Sequence, residues 1–284
     1  MSLISDLDRP IPEPAPGTAR PWRMPMLLRV SAVIHVAMLL AALVFGAWAW
    51  ALVVLAINHL VITVTGLLPR STWLGANCTR LPAPAIARRE ISLTIDDGPD
   101  PVVTPQVLDL LAQHNVKATF FCIADKAARY PALCKHIVER GHAVENHSQR
   151  HRHWFSLLGM SGMHREISDA QQTLTRITGQ RPRFFRPPAG LRNPFLDPVL
   201  ARLGLHLVAW SRRGYDTRTG DSVAVSKRLL QGLQPGSILL VHDGNCALSP
   251  AGTPVLLEVL PIVFAAARHA ELRFVTLSNA LPTR

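Results

Sequence analysis

Charge is in short supply. Asp, Glu, Lys and Arg make up 17% of the 284 residues, against about 25% in an ordinary soluble domain, and the deficit is concentrated near the N-terminus. Acids are scarcer than bases, 19 against 30, which leaves a formal charge of +11. A basic surplus can serve nucleic acid, anionic lipid or an anionic substrate. Arg is spread along the chain, however, with no long Lys/Arg run and no basic motif interleaved with aromatics. Nucleic acid therefore ranks low as a partner, and a membrane surface ranks higher. Cysteine is sparse too. Cys78, Cys122, Cys134 and Cys246 form no CxxC pair and no regular framework, so they read as buried or idle thiols that demand no oxidising compartment. No internal repeat divides the sequence.

From Val30 to Leu68 no residue is formally charged. One helix of that length would span roughly 58 Å, about twice a ~30 Å bilayer core. Two short spans fit better, which predicts a transmembrane helical hairpin over residues 26–69. Gly46 allows a tight reversal, and Trp48 and Trp50 suit the interface beside it. The polar residues His35, Asn58 and His59 read as interhelix hydrogen-bonding groups or as groups near the interface. Ala47-Trp48-Ala49 resembles a signal-peptide cleavage site, but the polar leader is long and the apolar run resumes beyond it, so an uncleaved hairpin is expected. Arg20, Arg23 and Arg29 precede the hairpin; Arg70, Arg80, Arg88 and Arg89 follow it. Cations on both flanks predict an inner-membrane protein with both ends, and so the downstream domain, facing the cytoplasm. Before the hairpin, residues 1–25 hold Pro10, Pro12, Pro14, Pro16, Pro21 and Pro25, which predicts a disordered tail. After it, residues 70–89, with Pro82 and Pro84, read as a linker.

Residues 90–284 alternate short apolar runs with helical patterns. Strands are expected at Ile91–Ile95, Ala118–Ile123, Ala143–Glu145, Arg183–Arg186, Leu205–Trp210, Ser237–Val241 and Arg273–Leu277. Helices are expected at Val103–His114, Ala124–Arg140, Gly162–Thr178, Pro194–Leu203, Ser222–Leu233 and Pro254–His269. Such alternation predicts an α/β domain of parallel strands with right-handed crossovers. About seven strands suit a barrel, and an open doubly wound sheet has the same pattern.

The notable polar residues recur at strand C-terminal ends, the edge where parallel α/β folds build sites. Thr94-Ile95-Asp96-Asp97-Gly98-Pro99 ends the first run on two adjacent carboxylates. Taken alone this is an ordinary Asp-Asp-Gly turn; with a cation beside it, it is half a metal site. His147-Ser148-Gln149-Arg150-His151 follows the third run, and imidazoles four apart can share one face of a helical turn. One acid plus two His is a typical set of protein ligands that leaves a metal position open for water.

The motifs TIDDGP (94–99), HSQRH (147–151), RPPAG (186–190) and LLVHD (239–243) together resemble the polysaccharide deacetylases with a NodB-homology domain, carbohydrate esterase family four. The resemblance covers roughly residues 90–280. It implies a distorted parallel (β/α)7-type barrel that removes acetyl groups from N-acetylated sugars with a divalent metal, zinc foremost. Carried over by motif, it implies Asp96 as general base, Asp97, His147 and His151 as metal ligands, and Arg186 as the residue that orients the base. It implies His242 as general acid, and the Ala189 backbone N–H, beside Pro188, as an oxyanion donor. Two positions depart from the family pattern. Ala189 stands where an aromatic residue is usual, and Asp216, the candidate to orient His242, is followed by Thr217 rather than Trp. Both changes remove aromatic surface and favour a short or lipid-linked sugar over a long polymer. The alternative is a non-catalytic carbohydrate- or lipid-binding membrane protein that kept the fold, against which stands the intact set of implied catalytic and ligand residues.

Overall fold

The computed structural model describes residues 19–281. Most of the expected Pro-rich tail lies outside the described residues. Helices α1 (Met26–Phe45) and α2 (Trp48–Gly66) form the expected antiparallel pair, each about 30 Å long at 1.5 Å per residue. Gly46 takes the left-handed conformation, φ 65°, that ends α1. Between the helices, Asn58 Nδ2 donates to Ser31 Oγ at 2.8 Å and the ring nitrogens of His35 and His59 meet at 3.3 Å. The polar residues of the run thus hold one helix to the other. The outward faces are apolar and exposed, with Val33, Val36, Leu40, Leu52, Ile57 and Leu60 uncovered. Both helices are long and apolar enough to cross a membrane.

The domain follows as α3 (Ala83–Ala87), β1 (Glu90–Asp96), α4 (Val103–Gln113), β2 (Ala118–Cys122), α5 (Ala124–Arg129), α6 (Pro131–Glu139), β3 (Ala143–Asn146), α7 (Met160–Thr178) and β4 (Phe184–Phe185). It continues with α8 (Leu196–Leu203), β5 (His206–Leu207), β6 (Arg212–Arg213), α9 (Ser222–Leu230), β7 (Ile238–His242), α10 (Val255–His269), β8 (Arg273–Phe274) and α11 (Leu277–Ala280). The sheet has eight strands in the order β5-β4-β3-β2-β1-β7-β6, with β8 also on β1, and every strand pair is parallel. It curls into an incomplete barrel.

The pleat decides which residues reach the interior. Along β2, Phe120 packs into the helix layer and Phe121 faces inward; along β7, Leu239 and Val241 go out while Ile238 and Leu240 go in. On β1, Leu93 and Ile95 join the outer layer. Thr94 and Asp96 therefore share the inner face.

Three details differ from expectation. The helix expected over Ala124–Arg140 breaks at Tyr130, because the residue before Pro131 is driven out of the helical region. The strand Arg212–Arg213 has no apolar residue to announce it. And the 70–89 stretch, read as a linker, is packed against the barrel. Cys78 bridges to Val208 and Arg80 to Ser237, so the segment lies between the β5 and β7 sides of the opening. Leu74, Leu81 and Ala85 are fully buried. Apolar side chains at those positions have a gap to fill, and the gap fixes the chain.

Candidate active site

Asp96, Asp97, His147, Ala189, Trp210 and His242 line one cleft of about 460 Å³ at the C-terminal ends of the strands. Asp96 ends β1 and is held from below by Arg186. The Arg186 Nη1 donates to Asp96 Oδ1 at 2.7 Å and to Thr94 Oγ1 at 2.9 Å, while its Nε and Nη2 donate to the carbonyls of Val208 and Ala209. The guanidinium also lies over the Phe121 ring, 4.2 Å from its centroid. Arg186 is fully buried, and burial pushes its basicity down while the Asp96 carboxylate pushes back. Removing either partner would leave an uncompensated buried charge, a loss of roughly 3–5 kcal/mol.

Asp97 turns away from the strand with φ 72°. Its Oδ1 lies 3.2 Å from His147 Nε2 and 3.2 Å from His151 Nε2. Neither approach makes a hydrogen bond, so Oδ1 is a buried carboxylate oxygen with no donor. Burial pushes the Asp97 carboxyl up, but His147, with His151 and His242 behind it, outweighs burial and holds it well below the usual carboxylate range. The His147 Nδ1 lies 2.7 Å from the Arg186 carbonyl. That carbonyl only accepts, so Nδ1 carries a proton and Nε2 is the nitrogen turned toward Asp97. Burial, then the charge on His147, pushes the His151 imidazole down to about 4, which leaves it neutral at pH 7. Two imidazole nitrogens and an unsatisfied carboxylate oxygen, all within 4.8 Å of one another, are the donors a divalent ion requires.

The loop carrying the two histidines is not the helical turn expected. Ser148 and His151 have φ 66° and 51°. The Ser148 N–H donates to Asn146 Oδ1 at 2.9 Å, and the His151 N–H to Ser148 Oγ at 3.0 Å. These side-chain bonds replace helical ones and bring the imidazoles together by a tight turn. Of the adjacent aromatics Trp154 and Phe155, only Phe155 is buried; Trp154 is exposed under the Arg152 guanidinium.

Across the cleft, His242 ends β7. Asp216 Oδ2 accepts from the His242 backbone N–H at 2.6 Å, and Oδ1 lies 3.0 Å from His242 Nδ1. The carboxylate fixes the proton on Nδ1 and leaves Nε2 for the cleft. Burial pushes the His242 imidazole down, but Asp216 outweighs it and the net shift is upward. Ala189 has φ 54° in the turn after Pro188. The adjacent Gly190, φ 75°, has no room for a side chain: a Cβ there would sit 2.6 Å from the Trp210 ring and 2.8 Å from Pro69. Small residues in this loop let the foot of the hairpin approach the cleft.

The matches to known proteins fall on this domain. The signature of the family described as polysaccharide deacetylase covers residues 85–208. A peptidoglycan-N-acetylglucosamine deacetylase of Bacillus cereus is 31% identical over 199 residues, 69% of this chain and 70% of its own length. The chain belongs to the polysaccharide deacetylase family. It is a hydrolase of the carbohydrate deacetylase class. A chitooligosaccharide deacetylase of Sinorhizobium fredii is 37% identical over 155 residues, 54% of this chain and 72% of the relative. Among solved structures, the Bc1960 peptidoglycan N-acetylglucosamine deacetylase superposes with a TM-score of 0.66 at 28% identity, covering 73% of this chain and 94% of its own. A family four carbohydrate esterase of Streptomyces lividans gives 0.59 at 32% identity, covering 65% and 91%.

Three cleft residues have no counterpart in the motif reading. Lys126 Nζ donates to the Asp97 carbonyl at 2.9 Å, Asn245 Nδ2 to Asp97 Oδ2 at 3.3 Å, and Arg213 stacks between Trp210 and Tyr215. Asn245 carried a weak sign, since it follows Asp243-Gly244 at a strand end; a lone Lys in a helix and an Arg in a two-residue strand carry none.

Proposed function

We propose that this chain is a membrane-anchored, metal-dependent hydrolase that removes an N-acyl group, acetyl foremost, from an amino sugar. The observation that carries the proposal is the pairing within one cleft of a carboxylate oxygen that lacks a donor, between two imidazole nitrogens, with a carboxylate-backed imidazole opposite. Asp97, His147 and His151 would hold one divalent ion, and this donor set suits zinc. Such an ion polarises an amide carbonyl and acidifies a bound water.

The protein's own residues divide the remaining work. Asp96 takes a proton from the water as its oxygen bonds to the carbonyl carbon; Arg186 holds that carboxylate and points it into the cleft. The Ala189 N–H donates to the developing oxyanion, with Pro188 setting the turn. The His242 Nε2 gives its proton to the sugar nitrogen as the C–N bond breaks, and Asp216 stabilises the imidazolium beforehand. The products are a carboxylate and a free amine. Relatives named as peptidoglycan and chitooligosaccharide deacetylases support an N-acetylated amino sugar as the substrate class.

Purified full-length protein supplied with zinc is expected to release acetate, or formate, from soluble or lipid-linked N-acyl amino sugars. Sugar binding without release of either acid would return the chain to the non-catalytic class.

The hairpin would anchor the enzyme in the inner membrane. Its first helix begins, and its second ends, on the domain side, and cationic flanks favour the cytoplasm there. A reporter fused after Arg284 is expected to be active in the cytoplasm and silent outside; the reverse pattern would overturn the orientation.

A further inference from the structure

We propose that Arg70, Arg80 and Arg212 form a phosphate subsite between the hairpin and the active cleft, and that it takes the phosphate of an amino sugar carried on a long membrane-embedded lipid chain. The placement of the sugar rests on the deacylase reading above; the phosphate site itself does not.

These arginines line a separate hollow of about 390 Å³ with Ser211, Gln234 and Trp210. Their recorded partners are backbone carbonyls. Arg80 Nη2 donates to the Pro235 carbonyl at 3.0 Å and Arg212 Nη2 to the Gly232 carbonyl at 2.7 Å, while Arg70 Nη1 only approaches the Ser211 carbonyl at 3.5 Å. Among the described residues none of them has a carboxylate partner. The Arg212 Nε is buried with no acceptor. Cationic forks held open on carbonyls, without an anion, match the oxygen geometry of a phosphate.

The hollow has neighbours on both sides. Trp210 is common to it and to the active cleft. Arg70 is common to it and to an apolar slot of about 670 Å³ that runs along α2 past Leu60, Val64, Leu68 and Trp73. The order apolar slot, arginines, Trp210, active cleft repeats the order chain, phosphate, sugar in a lipid-linked glycan. The strand Arg212–Arg213 serves both compartments, because successive side chains leave a strand on opposite faces. Arg213 stacks on Trp210 at the cleft and Arg212 turns to the hollow. Among the described residues no acid reaches these cations, and Pro69, packed beside Gly190, keeps slot and cleft adjacent.

The test uses full-length protein in detergent and compares wild type with the Arg80→Gln/Arg212→Gln double variant. Native mass spectrometry would follow retention of undecaprenyl phosphate, with phosphatidylglycerol and inorganic phosphate as separate arms. Wild type is expected to retain undecaprenyl phosphate at least about tenfold better than the double variant, and better than either comparison ligand. The ratio of kcat/KM for a lipid-phosphate-linked N-acetyl amino sugar over a soluble one is expected to fall about tenfold in the double variant. It should hold in Lys135→Gln, which removes a remote surface cation. Equal retention of phosphatidylglycerol would mean a general anionic surface, and equal retention of inorganic phosphate a free-phosphate site. Unchanged retention in the double variant would mean a phosphate site elsewhere. Any of these overturns the subsite. Arginine-dependent retention in a protein that deacylates nothing would uphold the subsite and sink the deacylase reading.

Discussion

Replacing Asp96 by Asn is expected to lower turnover at least ~100-fold while leaving the fold and the bound ion in place. Asn keeps an oxygen for Arg186 Nη1, 2.7 Å away in the native pair, so the shape of the site survives. The capacity to accept a proton does not. Asp96→Ala is the poorer probe, because it would strand the buried Arg186 guanidinium without its counter-charge. Steady-state kinetics with metal analysis on the same preparation decides the matter. Near-normal turnover of Asp96→Asn, metal-loaded, would place the base elsewhere.

A second large effect concerns the ion. Roughly one divalent ion per chain is expected, and His147→Ala should lose both the ion and turnover. Ion binding should also raise thermal stability, because it meets an oxygen that otherwise has no donor. By mass action the gain is about 2.7 kcal/mol at a free ion concentration of ~100 Kd. A chelator should therefore lower the melting temperature of the wild type and leave that of the Asp97→Ala/His147→Ala/His151→Ala variant unchanged. Full occupancy in that triple variant would reject the ligand assignment.

The sequence made the hairpin, the order of strands and helices, and the clustering of polar groups at strand ends legible, because each has a period or a terminus that residue types report. β1 and β7 were visible as buried runs that end on the site residues. The two-residue strands were not measurable from sequence, since β4, β5 and β8 are the paired fragments of longer extended segments. Residues 70–89 looked like a linker because prolines suppress helical periodicity, and nothing local marks a segment that fills the opening of a barrel. The His147–His151 spacing singled out two imidazoles that the structure does bring together, though not by the helical turn the spacing suggested. Their convergence depends on positive φ at Ser148 and His151, which non-glycine residues rarely announce. The carboxylate behind His242 was legible only through family likeness, since Asp216 and His242 are far apart in sequence and meet through tertiary structure.

Arg186 joins what might otherwise be two independent devices. Its side chain aims the carboxylate of Asp96, and its own carbonyl selects which nitrogen of His147 is left for a ligand. In the proposed reaction, proton abstraction and ligand geometry would therefore share one mechanical support. A shift of the short segment after β4 would move both side chains at once. The Asp216–His242 side hangs from β7, whose register sets His242 beside Asp96 on β1, so the two halves of the cleft are braced against each other through the central strands of the sheet.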